Sequence, residues 1–200
     1  MQHFLYENNL LNSIQCVIIG VLDPSKEAPP MMQSFDAFTS FYEQNKAGLK
    51  KAGDWIWYHH QQQHVIVFHC GEEKSYHLET LKNNIQKISL LFKEKPWKNL
   101  LLSLPQVTGL SKEAQLNLTI LTLESCYYQF LNYKAQKEGL QLQTVYHDSS
   151  SSPEQIKESC AIAEGIRLCQ DLANTPANEC TPIDLEKAAK NLATKFKSLK

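Results

Sequence analysis

Seven histidines and six cysteines are the residues of this chain best equipped for metal or nucleophilic chemistry. His59, His60 and His64 fall within six positions, and His69 and His77 follow closely. Neutral imidazoles a few residues apart can ligate zinc. No cysteine or carboxylate stands at a ligand-like spacing beside them, so the run reads more simply as a solvated polar connector between two strands. Cys180 precedes a helix start, which favours a thiolate, but a cysteine nucleophile also needs a base, and no histidine is near it in sequence. Cys160 and Cys169 fall on the apolar face of an expected helix, where thiols are inert packing. The serines at 149–152 lack the G-x-S-x-G context of a nucleophile and read as a linker ending in a helix cap. Seven glycines are spread too thinly to form a G-x-G-x-x-G or Walker loop. Lys187, Lys190, Lys195, Lys197 and Lys200 read as a solvated face, without the arginines or interleaved aromatics of a nucleic-acid patch. No residue is therefore assigned a catalytic, cofactor-binding or metal-binding role.

The elements that would position such groups alternate between strands and helices. Cys16–Leu22 is a continuous apolar strand ended by Asp23-Pro24, and a loop through Ala28, Pro29 and Pro30 follows. Phe35, Phe38, Phe41 and Tyr42 recur at helical spacing. Residues 55–58 and 65–69 form an expected hairpin, and Leu78, Leu81, Ile85, Ile88 and Phe92 a helical stripe stopped by Pro96. Residues 100–104 read as a buried parallel strand. Ser111 caps a helix whose face runs Leu116, Ile120, Leu123, Tyr127, Leu131, with Gly139 placed as its C′ residue. Residues 140–146 alternate like a half-buried strand. Ser152, Pro153 and Gln155 match a capping box. The helix behind it carries Ile156, Cys160, Ala163, Ile166, Cys169 and Ala173 until Thr175-Pro176. Thr181-Pro182-x-Asp184 opens a last helix, whose stripe (Leu185, Ala188, Leu192, Phe196, Leu199) is still in phase near Lys200. That helix is expected to continue beyond it. The pattern predicts an α/β class with a three-layer α/β/α mixed sheet over 1–148, followed by linker helices over 149–200.

Composition narrows the classes. A chain of 200 residues buries about 70% of its unfolded surface and needs no disulfide staples. Hydrophobic and charged fractions of 42% and 20% exclude a disordered or collagenous chain. The net charge is −1 and Arg167 is the single arginine, which disfavours nucleic acid and anionic lipid as partners. The first residues carry no secretory signal, and no apolar run approaches the roughly 20 residues of a membrane helix. Scattered cysteines with no C-x-x-C fit a reducing cytoplasm.

Residues 163–189 are the informative segment. Asp171-Leu172-Ala173-Asn174-Thr175-Pro176-Ala177-Asn178, followed by Cys180-Thr181-Pro182 and a Leu/Ala-rich helix, resembles the elbow of the leucyl (cytosol) aminopeptidase family. There it joins an N-terminal domain, similar in fold to macro domains, to the catalytic domain, so the resemblance implies that residues 149–200 are the helical elbow and the start of that catalytic domain. The resemblance implies a cytoplasmic parent enzyme that releases N-terminal amino acids from peptides. It implies two divalent ions (manganese, zinc or magnesium) in the catalytic domain and none bound here, and a homo-hexameric parent. This chain itself is expected to be inactive and monomeric or weakly dimeric. The family's metal motifs, G-K-G-x-x-x-D-S-G-G and N-T-D-A-E-G-R, are absent. Ala163-Glu164-Gly165-Ile166-Arg167 looks like part of the second. It has an extra Ile, lacks the preceding Asp and lies mid-helix, so neither Glu164 nor Arg167 inherits a role. The alternative is a macro-domain-like binding module for ADP-ribose or a related nucleotide, which rests on fold analogy.

Overall fold

The structure, a computed structural model, describes residues 1–7, 13–24, 36–60, 62–93, 95–134, 142–148 and 151–196. The sequence-based readings at Ala28, Pro29, Pro30, Phe35, Gly139, Ser149, Ser150, Lys197, Leu199 and Lys200 lie outside the described residues.

Six strands form one sheet: β1 (Gln2–Leu5), β2 (Cys16–Leu22), β3 (Trp55–His60), β4 (Gln63–Gly71), β5 (Asn99–Ser103) and β6 (Thr144–His147). Their order is β1-β6-β5-β2-β4-β3, with only the β3–β4 pair antiparallel. β2 is flanked by parallel neighbours and covered on both faces, which is why its sequence is an unbroken apolar run. Its even positions, Cys16 and Ile18, face α2 (Leu78–Lys93) and α3 (Lys112–Tyr127), through Leu81, Ile85, Ile88, Phe92 and Leu123. Its odd positions, Val17, Ile19 and Val21, face α1 (Asp36–Asn45) through Phe38 and Tyr42. The layers are the expected α/β/α arrangement. Each large side chain buried this way contributes about 1.5–3 kcal/mol.

The differences from the sequence reading have local causes. The histidine connector is shorter than expected: His59 and His60 continue β3, Gln63 and His64 begin β4, and His59 pairs with His64. β1 was not expected from the sequence. It is four residues long and exists because β6 offers it a parallel edge. α3 ends at Tyr127, before Leu131 and well before Gly139, with Tyr128 in extended conformation as its C-cap.

Two helices complete the chain, α4 (Pro153–Asn174) and α5 (Pro182–Lys195). Ser152 Oγ accepts from the Gln155 amide at 3.3 Å, as expected. The Gln155 side chain donates instead to Glu158, so half of the capping box is made. The apolar face of α4 is covered only in its first half: Ile156, Ser159 and Ala163 are buried, while Ile162, Ile166 and Cys169 are exposed. No residue of α5 is buried.

Candidate functional site

Ligands of open α/β sheets bind where parallel strands end at their carboxyl termini. Three clefts lie there. One of about 320 Å³ beyond β5 and β6 is lined by Leu102, Lys112, Gln115, His147 and Asp148 among others. A smaller one of about 220 Å³ lies between β2 and β5. A third of about 710 Å³ beyond β2 and β4 includes Lys46, Lys50, His69 and Lys74. The loop after β5 is pinned across this end. Gln115 accepts from the Val107 amide at 2.8 Å and donates to the Pro105 carbonyl at 2.9 Å. Pro105 and Leu104 then press on Gly20, where an added Cβ would stand 2.7 Å from Cys70 Sγ and 2.8 Å from Pro105 Cδ. A side chain larger than hydrogen therefore does not fit at this position, which lines the smaller cleft between β2 and β5.

A buried polar chain runs inward from the first cleft. His147 lines the cleft and meets His3 at 3.0 Å between Nε2 and Nδ1. His3 Nε2 reaches Glu124 Oε1 at 3.0 Å, and Glu124 also pairs with Arg167 and, at 3.3 Å, with the amino terminus. Burial pushes the His147 pKa down to about 3, with the His3 charge adding to it. Burial opposes ionisation of Glu124, yet the His3 hydrogen bond, the amino terminus and Arg167 outweigh it and hold its pKa below the usual value. These groups come from β1, α3, β6 and α4, separated by 144 and 121 residues in their two main contacts. No local pattern in the sequence marks them.

The residues singled out in the sequence do not converge. The His59 and His64 rings stack with centroids 4.4 Å apart and planes 18° from parallel, so they face each other instead of aiming nitrogens at one point. Burial, His59 and Lys95 together lower the His64 pKa. His64 and His69 are five residues apart along β4, about 17 Å and on opposite faces. His69 is buried with neither ring nitrogen hydrogen-bonded, and His77 Nδ1 accepts from the Thr80 amide. Among the described residues no group of three or more His, Cys, Asp or Glu is placed to hold a metal ion. Burial raises the thiols of Cys16, Cys70 and Cys160, Cys70 to about 12, so these remain protonated. Cys180 lies in the connector, its amide bonded to the Pro176 carbonyl at 2.9 Å. Glu164 is exposed on α4, and Arg167 serves the Glu124 cluster.

The connector between α4 and α5 is held from both sides. Tyr128 donates to Asp171 at 2.8 Å and accepts from Asn174 at 3.2 Å. Tyr133 donates to Glu179 at 2.6 Å. At the start of α5, the Thr181 amide and hydroxyl both donate to Asp184 Oδ2, at 3.2 and 2.6 Å. The Thr181 hydroxyl first, then Lys187 and the Thr181 amide, hold the Asp184 carboxyl down to about 2. No helix among the described residues is long and apolar enough to cross a membrane.

This mixed α/β fold, a six-stranded sheet with helices, matches the N-terminal domain of leucine aminopeptidase. A mutant of the tomato enzyme superposes with a TM-score of 0.76 at 15% identity, over 98% of this chain and 43% of that one. Bottromycin maturation enzyme BotP superposes at 0.67 with 16% identity, over 91% and 37%. No family model matches the chain. Its curated relatives are cytosol aminopeptidases. A probable cytosol aminopeptidase of Legionella pneumophila (strain Corby) is 25% identical over 98% of this chain and 41% of its own length. One of Hamiltonella defensa is 28% identical over 94% and 40%. The cytosol aminopeptidase of Pseudomonas aeruginosa is 40% identical over 100 residues, 47% of this chain and 20% of its own. The chain thus spans about two fifths of the length of the first two relatives.

Proposed function

We infer that this chain is the N-terminal α/β domain and elbow of a cytoplasmic leucyl aminopeptidase, whose metal and peptide chemistry lies outside these 200 residues. The observation that carries the reading is similarity over almost the whole chain to only two fifths of cytosol aminopeptidases. The Asp171–Asn178 pattern supports it, because it occupies the helix end and the tyrosine-braced connector that an elbow requires. The exposed Ile162, Ile166, Ile183, Leu185 and Phe196 give a further domain an apolar surface to cover.

Divalent metal belongs to this reading through the parent enzyme; one structural relative is BotP in complex with Mn. When bound there, such ions supply Lewis acidity and an activated water. The described residues do not fit such a centre: the His59 and His64 rings stack, and His64 and His69 point to opposite faces. No step is routed through them. In the parent, peptide substrate and hexamer contacts fall to the catalytic part.

A graft tests this. The isolated chain is expected to leave leucine p-nitroanilide intact with manganese present. Replacing the equivalent portion of the Legionella pneumophila enzyme with this chain is expected to yield a folded aminopeptidase. Hydrolysis by the isolated chain, or a graft that folds without activity, overturns the reading.

A further inference from the structure

All three tryptophans of the chain line one groove. Trp55 and Trp57 come from β3, Trp97 from the turn before β5, and Leu90 and Leu91 from α2, with Ile66 as the floor. The groove holds about 400 Å³. Trp55, Trp57 and Leu90 are 43%, 44% and 64% exposed, although side chains of these types are normally the first to be covered. The walls are braced. Trp97 is buried and packs on Phe92 at 5.1 Å and His64 at 4.8 Å, and Trp57 meets it edge-on at 6.3 Å. Rigid aromatic walls lose little entropy when a partner binds, which is why tryptophan dominates binding hot spots.

The groove borders the edge of the sheet. Among the described residues β3 is the outermost strand, paired on one side with β4. Its sequence, WIWYHH, has no charged residue, proline or glycine, and its register with β4 runs without a bulge. These are the devices that normally blunt an edge, and β3 has none of them. Trp55 and Trp57 share one face, so a strand added outside β3 would send alternate side chains toward the groove.

Charge sets the partner. Lys95 Nζ lies 5.4 Å from the Trp57 ring centroid, and Lys87 reaches Gly53 at the start of β3. The nearby Asp54 carboxylate is engaged by the amides of Lys50 and Lys51. We propose that the outer edge of β3 and the Trp55–Trp57–Trp97 groove bind an extended acidic–apolar peptide segment of a partner protein as an added strand. Its large apolar side chains at alternate positions enter the groove, and its carboxylates face Lys95 and Lys87. A second copy of this chain fits less well, because a two-fold axis would set those lysines against their own images. The aliphatic floor of Ile66, Leu90 and Leu91 favours a peptide side chain over a stacked base.

The 200-residue chain titrated with an acetylated, amidated octapeptide of alternating phenylalanine and glutamate tests this. Intrinsic tryptophan emission reports on this groove alone. A saturable blue shift is expected, weakened about tenfold or more by Lys95→Glu or by lysine in place of the peptide glutamates. Leu90→Asp, at an exposed position, should weaken it similarly while circular dichroism stays unchanged. Backbone N-methylation of alternate peptide residues should abolish it, since strand addition needs their N–H groups. The proposal is overturned by no saturable shift up to about 1 mM peptide, or by equal binding of the lysine peptide. A dimer in sedimentation that buries the tryptophans without peptide, or tighter binding of oligothymidylate, overturns it as well.

Discussion

The imidazoles of His3 and His147 meet nitrogen to nitrogen at 3.0 Å across the β1–β6 pair, their rings stacked with centroids 5.2 Å apart. One nitrogen donates and the other accepts, so the contact survives only while at least one of the two rings stays neutral. Burial makes His147 the neutral one, with its pKa lowered to about 3.

That relationship sets an acid sensitivity. In the unfolded chain His147 takes a proton near pH 6.5, whereas in the fold it does so only near 3. Between those values the unfolded state binds more protons, so stability falls as pH falls. The loss should be on the order of a few kcal/mol between pH 7 and pH 4. Urea denaturation across that range measures it, and His147→Gln should flatten the slope. A wild-type midpoint that does not move with pH would falsify this assignment.

Glu124 is the hub of the same cluster. Its carboxylate accepts from His3, the amino terminus and Arg167, and its lowered pKa means this stabilisation is present above the unfolded value and fades in acid. Glu124→Gln at neutral pH should cost about 1–3 kcal/mol. Arg167→Ala should cost under about 1 kcal/mol, because that guanidinium is half exposed. Thermal melts of both variants check the order.

Gly20→Ala should destabilise by about 1–3 kcal/mol through overpacking. The new methyl would press on Cys70 Sγ and on Pro105, which the Gln115 hydrogen bonds hold in place. Adding Cys70→Ala should recover part of the loss. Equal denaturation midpoints for Gly20→Ala and wild type would exclude the close approach.

At the end of α4, Tyr128→Phe removes two hydrogen bonds, to Asp171 and from Asn174. A small loss of stability is expected, confined to the end of α4. Hydrogen exchange should quicken there and stay unchanged in β2. Asp184→Ala removes the carboxylate that accepts from the Thr181 amide and hydroxyl and should fray the first turn of α5 locally. Exchange spreading into the sheet in either variant would show that the α4–α5 connector does not open independently of the sheet.

Much of the fold was legible in local pattern. The unbroken run Cys16–Leu22 reads as a buried strand and is one, and Ser111, Ser152 and Thr181 mark helix starts that the structure keeps. The end of α3 was not legible, because Leu131 continues the apolar phase past the point where Tyr128 turns extended. β1 was missed because four residues carry too little periodicity, and its formation depends on an edge supplied by residues 144–147. The histidine run, read as a connector, belongs instead to the two strands for a related reason. Spacing in sequence placed His59 and His64 close together, but ladder pairing turned proximity into stacking.

Strand and helix order and the α/β class follow from hydrophobic period and turn chemistry, which act over a few residues and are written in the chain. The His147–His3–Glu124 chain and the gathering of Trp55, Trp57 and Trp97 were decided by the tertiary structure. Sheet order and helix packing bring together residues that no spacing rule connects. Burial then changes their chemistry, neutralising His147, while Trp55 and Trp57 stay half-exposed on the outermost described strand.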